Sequence, residues 1–388
     1  MGRPLRAEQF SPDEISIVHS VQRCVRRAYL TGIDAKSGID YSFRREWIRR
    51  RLEALASVFG IDVLTYAILS NHIHTILRNR PDVVAAWSDE EVAIRWLRVF
   101  PGQRLEECLA DPADVDVQAL VKQKERMAVI RRRLSDISWF MRALCEPIAR
   151  LANKQDQCTG RFWEGRFKAQ RICDEAGLLA CAMYVDLNPI RAAMVESLEQ
   201  AIHTSAYDRL EGEKGSEIDS AAFELVPVTR QERVEEIRKK SIVERKTKLK
   251  ASRGRKPGRR VLRDCWLAPL TLKRRESASN PEVNRSGVRA SDKGFLQVSW
   301  SDYLQLLRWT AAQKAREAVG RLPGKLSKIL GTLGIEASMW RDLVWNFKKY
   351  FGRSGSAGAP RSMAEDASRH QRSWYQGHRR ASECFASG

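Results

Sequence analysis

Residues 61–79 read IDVLTYAILSNHIHTILRN. The first ten make an apolar run whose β-branched and aromatic residues suit a strand, and Ser70-Asn71 is turn chemistry. HIHTILRN (72–79) then predicts the returning strand of a hairpin. Upstream, ISIVHSVQR (Ile15 to Arg23) predicts another strand, followed by turn signals between Gly32 and Asp40. In SFRREWIRRRLEALASVFG (42–60), Trp47, Leu52, Leu55, Val58 and Phe59 fall at helical spacing and Gly60 supplies the stop. Strand, helix, strand, strand is how a small α+β sheet domain with helices on one face begins.

Side chains alternate along a strand, so His72 and His74 point one way while Ile73 points into the core on the other face. Two of the chain's six histidines therefore share a face. Neutral imidazoles so placed make a pair of metal ligands. A half-buried strand that happens to carry two imidazoles is the plainer alternative, and the H-x-H spacing alone does not separate them.

From Pro81 to about Asp156 the chain predicts long helices, such as DEEVAIRWLRVF (89–100), with basic residues on solvated faces. After the turn DQCTG (156–160), RFWEGRFKAQRI (161–172) reads as extended, basic and aromatic. DEAGLLACAMYVDL (174–187) predicts an apolar helix with acidic residues in its first turn, ended by Pro189. Tyr184 and Asn188 lie four residues apart and so share one helix face. There a phenol and an amide oxygen can supply a nucleophile and a third ligand together, although core packing with a satisfied hydroxyl is the competing reading of Tyr184 alone. His72, His74 and Asn188 could hold Mg2+ or Mn2+ with positions left open for phosphate oxygens. Tyr184 beside that ion could attack a phosphodiester and become covalently attached.

SNHIHTIL (70–77) resembles the HUH motif (His, hydrophobic, His), and YVDLNPIRAAMV (184–195) resembles the tyrosine helix of single-tyrosine HUH transposases. The Tyr-x-x-x-Asn-Pro-x-Arg-Ala form looks like the REP-associated tyrosine transposases, as does WEGRFK within RFWEGRFKAQ. The resemblance implies an α+β fold: an antiparallel-sheet HUH (ferredoxin/RRM-like) catalytic domain over 1–210 with a helical insertion at about 81–157. A basic linker (211–262) and a small all-α C-terminal domain (263–352) would follow, similar to a longer variety of the family. It implies that His72, His74 and Asn188 hold the metal and that Tyr184 forms a 5′-phosphotyrosine. The expected substrate is single-stranded DNA beside a hairpin, cut and rejoined without ATP, and a homodimer is left open. The alternatives are a catalytically silent or domesticated hairpin-binding protein and a rolling-circle replication initiator. No G-x-x-x-x-G-K loop and no second tyrosine near Tyr184 support the latter.

Arg161, Arg166 and Lys168, interleaved with Phe162, Trp163 and Phe167, have the composition of a single-strand groove, or equally of an edge strand with core aromatics. Arg191 is expected to contact a phosphate or to cap the tyrosine helix. Arg253 and Arg255 lie in SRGRKPGRR (252–260), which resembles a minor-groove hook but fits a nonspecific electrostatic tether better. His19 reads as an ordinary sheet histidine. The formal net charge of +20 and the pI near 9.9 make nucleic acid the first partner to consider. Residues 230–260 carry 14 Lys and Arg against 4 Glu, half of that charge. No apolar run reaches a membrane span and no signal peptide is apparent, so a cytoplasmic, nucleoid-associated protein is expected. Cys24, Cys108, Cys145, Cys158, Cys173, Cys181, Cys265 and Cys384 show no C-x-x-C pair and are expected to be reduced thiols. The Ser-, Gly- and Arg-rich tail, 353–388, is expected to be mostly flexible apart from a short helix near Met363 to Trp374.

Overall fold

The computed structural model describes residues 10–25, 31–33, 38–100, 112–220, 260–273, 281–314, 320–352, 355–372, 375 and 377–385. It is a mixed α+β structure built on a five-stranded sheet ordered β2-β3-β1-β4-β7. The strands are β1 (Ile17–Arg23), β2 (Ile61–Ile68), β3 (His72–Asn79), β4 (Lys168–Ile172) and β7 (Gly355–Ala357), while β5 (Glu217–Asp219) and β6 (Arg260–Leu262) form a separate ribbon. The helices before the fourth strand are α1 (Arg44–Ala56), α2 (Pro81–Ala85), α3 (Asp89–Val99), α4 (Asp114–Val121), α5 (Lys124–Leu134) and α6 (Ile137–Gln155). Those after it are α7 (Glu175–Asp186), α8 (Asn188–Arg191), α9 (Ser205–Glu213), α10 (Trp300–Ala312), α11 (Gly324–Thr332), α12 (Trp340–Trp345), α13 (Phe347–Phe351), α14 (Pro360–Arg369) and α15 (His378–Ala381).

The hairpin forms as its residues predict, with Leu69 N donating to His72 O at 2.9 Å to close the turn. β1 pairs antiparallel with β3, setting Val21 opposite His74 and Arg23 opposite His72, so these side chains share the front face of the sheet. A register shift between Val63 and Thr65 interrupts β2. Before it, Ile61 and Val63 enter the rear core; after it, Tyr66 and Ile68 do, while Leu64, Ala67 and Leu69 enter the front one. The bulge thus gives β2 apolar contacts on both faces.

Helices consequently cover both faces, not one. The rear core joins α1 to Trp96, Phe140 and Leu144 of the helical insertion, through Ile73 and Leu77 of β3. The front core joins α7 to the C-terminal helices through Leu64 and Ile76. The sheet is mixed because β7 runs parallel to β4, pairing Gln170 with Gly355 and Ile172 with Ala357. Residues 353–388, expected to be mostly flexible, instead contribute β7, α14 and α15. Residues 263–352, expected as a helical domain of their own, share their core with α7: Trp340, Leu343 and Phe347 belong to it.

Buried polar groups tie these layers together. Asp62 accepts from Arg78 Nη2 at 2.7 Å, Arg80 Nη1 at 3.2 Å and Ser291 Oγ at 2.9 Å, fastening the 281–296 loop to the hairpin. Asp186, at the end of α7, accepts from Ser205 Oγ at 2.5 Å and from Tyr303 OH of α10 at 2.7 Å. Asp174 caps α7 by accepting from Gly177 N at 2.7 Å, and its second oxygen accepts from Ala359 N, just past β7, at 2.7 Å. A Cβ on Gly177 would stand 2.6 Å from Ala357 O, so α7 and β7 approach that closely only because this residue has no side chain. None of the seven described cysteines forms a disulfide, and no helix among the described residues is long and apolar enough to cross a membrane.

Candidate active site

β3 presents His72 and His74 on the front face, and α7, packed across that face, brings Tyr184 to them. The His72 and His74 ring centroids are 4.8 Å apart, and the Tyr184 ring lies 5.7 Å from His74, edge to face. α7 ends at Asp186 and the chain restarts as the short turn α8, whose first residue is Asn188. Arg191 joins the two: its Nη2 lies 3.2 Å from both Tyr184 OH and Asn188 Oδ1. Its guanidinium also sits 4.8 Å over the tyrosine ring. The four residues expected at the site are therefore together, although more than a hundred positions separate the strand from the helix.

A fifth residue enters from β1. His19 Nε2 lies 2.8 Å from His74 Nδ1, with the rings stacked at 5.1 Å. The direction of the hydrogen bonds follows from the far end of the chain of contacts. Gln170 Nε2 donates to the carbonyl of Phe351 at 3.1 Å, so its Oε1 must accept from His19 Nδ1, 3.4 Å away. His19 Nε2 then accepts from His74 Nδ1, and His74 keeps a lone pair on Nε2. His72 is held in the same tautomer by Nδ1 donating to Asn71 Oδ1. Burial pushes the His19 imidazole down to about 4 and that of His72 to about 3; the Lys348 charge adds to the latter, and His74 is driven well below its ordinary range by the same burial. All three imidazoles are neutral at pH 7.

Three buried polar atoms here have no hydrogen-bond partner: His74 Nε2, Asn188 Nδ2 and Arg191 Nε. Of these, His74 Nε2 is a lone pair that a cation could take, whereas Asn188 Nδ2 and Arg191 Nε are donors that suit an anionic oxygen. Among the described residues no group of three or more His, Cys, Asp and Glu side chains is placed to hold a metal ion. The candidate set is instead two imidazoles and an amide. It fits a divalent cation in two respects: both imidazoles are neutral, and both have Nδ1 engaged so that Nε2 can ligate.

Beside the pair lies a 310 Å³ cavity whose walls include His19, Arg23, His72, Arg166, Lys168, Gln170 and Lys348. Arg166 and Lys168 line this cavity, whereas Arg161 is exposed and does not. Arg253 and Arg255 lie outside the described residues. The aromatic residues between the cations are no stacking platform: Phe162 and Phe167 are buried in the rear core, and Trp163 packs against it with Nε1 donating to Cys145 O at 2.8 Å. All three rings pack on the rear core from the irregular stretch that precedes β4.

The C-terminal helices complete the site. Phe347 stacks on Tyr184 at 5.1 Å and 22°, and Lys348 Nζ lies 5.7 Å over the same ring. Tyr184 and His74 are fully buried as a result. Lys348 carried no motif that would have marked it. His19 was visible as a strand histidine, but only the β1–β3 register shows that it backs His74. No family model matches the chain, nor does any curated protein or solved structure.

Proposed function

We propose that the protein is a metal-dependent DNA strand transferase of the single-tyrosine HUH type, similar to the REP-associated tyrosine transposases. It would cleave and rejoin hairpin-bearing single-stranded DNA. The observation that carries this reading is the meeting of His72, His74 and Tyr184 over one sheet face, with Asn188 joined to Tyr184 through Arg191 and the His74 Nε2 lone pair unsatisfied. The antiparallel strands β2, β3 and β1, crossed by the helix that carries Tyr184, support this reading, and the basic cavity beside them suits a phosphodiester.

In this reading His72 and His74 hold Mg2+ or Mn2+, with Asn188 as third ligand. The ion, when bound, withdraws electron density from the phosphate. The Tyr184 phenol loses its proton and its oxygen forms the new bond to phosphorus, while the 3′-oxygen of the strand leaves and takes up a proton. Arg191, already hydrogen-bonded to the phenol oxygen, stabilises negative charge there. The 5′-phosphotyrosine keeps the bond energy, so a 3′-hydroxyl can reverse the step.

Incubating the full chain with hairpin-bearing single-stranded DNA and Mg2+ or Mn2+ should give a denaturation-resistant adduct on the 5′ side of the cut. Tyr184→Phe should abolish it, and an adduct that survives this substitution would exclude Tyr184 as nucleophile. The complete burial of Tyr184 beneath Phe347 favours a second reading, a hairpin-binding protein whose tyrosine is sealed. Hairpin binding with no adduct under any divalent ion, in the wild type and in Phe347→Ala alike, would establish that reading.

A further inference from the structure

The cavity beside His72 does not end at Lys348. Lys348 and Gly352 also line a second, larger cavity of 760 Å³, whose other walls include Lys349, His378, Arg379 and Arg380. The two cavities share these walls, one lying beside His72 and the other reaching α15.

This second cavity is a built feature. Gly377, at φ 99°, begins α15 in the left-handed region, and a Cβ there would meet Tyr350 O at 2.4 Å, so α15 lies directly against α13. Arg380 Nη1 donates to Lys349 O at 3.1 Å. Ala381 and Cys384 are buried, and Glu336 N donates to Cys384 O at 3.0 Å. Among the lining residues the cations outnumber the acids. Asp342, 3.7 Å from Lys349, already accepts from Tyr350 OH and from Asn346 Nδ2. Glu383 is the one acid among the lining residues. An excess of positive charge along one cavity wall attracts an anion.

We infer that this second basic cavity binds phosphates of the single strand that continues from the cleaved position, so that α13 and α15 guide the DNA out of the site. The inference rests on the functional reading above. A polyanion of regularly spaced phosphates fits a series of cations, and Lys348, in the shared wall, stands between the two cavities. Two cavities that share walls suit a chain more than a compact ligand. A single strand tracks such a groove mainly through its backbone, so binding should depend on tail length and salt far more than on sequence.

The test is equilibrium binding by fluorescence anisotropy, without divalent ions, on full-length protein. The probes are a hairpin without a tail and the same hairpin with a single-stranded tail of roughly ten nucleotides on its 5′ or its 3′ side. Wild-type protein should bind at least one tailed form roughly tenfold more tightly than the blunt form. Arg379→Gln/Arg380→Gln should lose most of that gain and lower the slope of log K against log salt by about 1.4, at about 0.7 per phosphate contact. Arg379→Gln alone, which leaves the Arg380 contact in place, should lower it by about 0.7. A tail that confers no gain, or variants that keep the full gain while folded by circular dichroism, would overturn the inference. Failure of the functional reading is separate, since it is the absence of a Tyr184 adduct when metal is supplied.

Discussion

The chain adds helices to its sheet in two places, and the two additions do different work. The insertion, α2 to α6, packs on the rear face through Ile73, Leu77 and α1. The C-terminal helices pack on the front face, where Phe347 stacks on Tyr184 and Gln170 reaches the carbonyl of Phe351. Ile73 and His74 are neighbours in sequence, yet each belongs to a different addition. A substitution in the insertion should therefore be felt as stability, and one in the C-terminal helices as stability and chemistry together.

The most demanding way to break this contrast is to remove one ring from each face. Phe140→Ala and Phe347→Ala each take a fully buried ring from a packed core, and each should cost about 3–5 kcal/mol in denaturant unfolding. At a temperature where both variants stay folded, Phe140→Ala should leave the adduct rate within about twofold of wild type. Phe347→Ala should change it at least several-fold, upward if the ring shields the phenol. Equal effects of the two on the adduct rate would dissolve the distinction.

A smaller effect comes from the front-face imidazoles. His19 and His72 have folded values lowered to about 4 and about 3 from 6.5, chiefly by burial. A lowered histidine means that the unfolded chain takes up a proton that the native chain refuses. The stability is fully present above pH 6.5 and is lost as pH falls towards 4 and 3. Metal-free protein should therefore lose roughly 2 kcal/mol per imidazole between pH 7 and pH 5, at about 1.4 kcal/mol per pH unit below 6.5. Urea midpoints across that range measure it, and a flat profile would mean that these rings are solvated in the native state.

The smallest of the three sharpens the link between the C-terminal helices and the histidines. Gln170→Leu frees His19 to turn its proton towards His74, which then no longer presents a fixed lone pair. Mn2+ affinity by calorimetry should fall roughly 10- to 100-fold, as when other outer partners of ligating histidines are removed. The 15N shifts of the His74 ring in the metal-free variant should show a mixture of tautomers. A single unchanged tautomer would place the control elsewhere.

What the sequence discloses, and what it hides, divides along similar lines. The hairpin, the first strand, α1 and the tyrosine helix are legible because their signals are local: β-branched runs, helical spacing, acidic residues in a first turn, a Pro stop. The same is true of the two histidines and of Tyr184 and Asn188, whose spacings are one strand repeat and one helical turn. The bulge in β2 was not legible, since an apolar run reads the same with or without a change of phase. Nor was the parallel strand Gly355–Ala357, three small residues whose pairing depends on β4 far upstream. His19 and Lys348 join the site through tertiary register alone. The aromatic residues of RFWEGRF show the limit from the other side, because composition named both a groove and a core and only the packing chose.

The contact between Gly177 and β7 has a consequence for how the molecule is made. α7 leaves the ribosome long before residues 300–385, and until they arrive its apolar front and Tyr184 lack the cover of Phe347 and the other C-terminal helices. Asp174 can cap its own helix at once, but its second oxygen waits for Ala359. Such distant pairing is slow to form and leaves sticky surface open meanwhile. The nascent chain thus passes through an interval in which Tyr184 is bare and Gln170 lacks the Phe351 carbonyl that orients its amide. The front face of the sheet is covered only once residues 300–385 have been made.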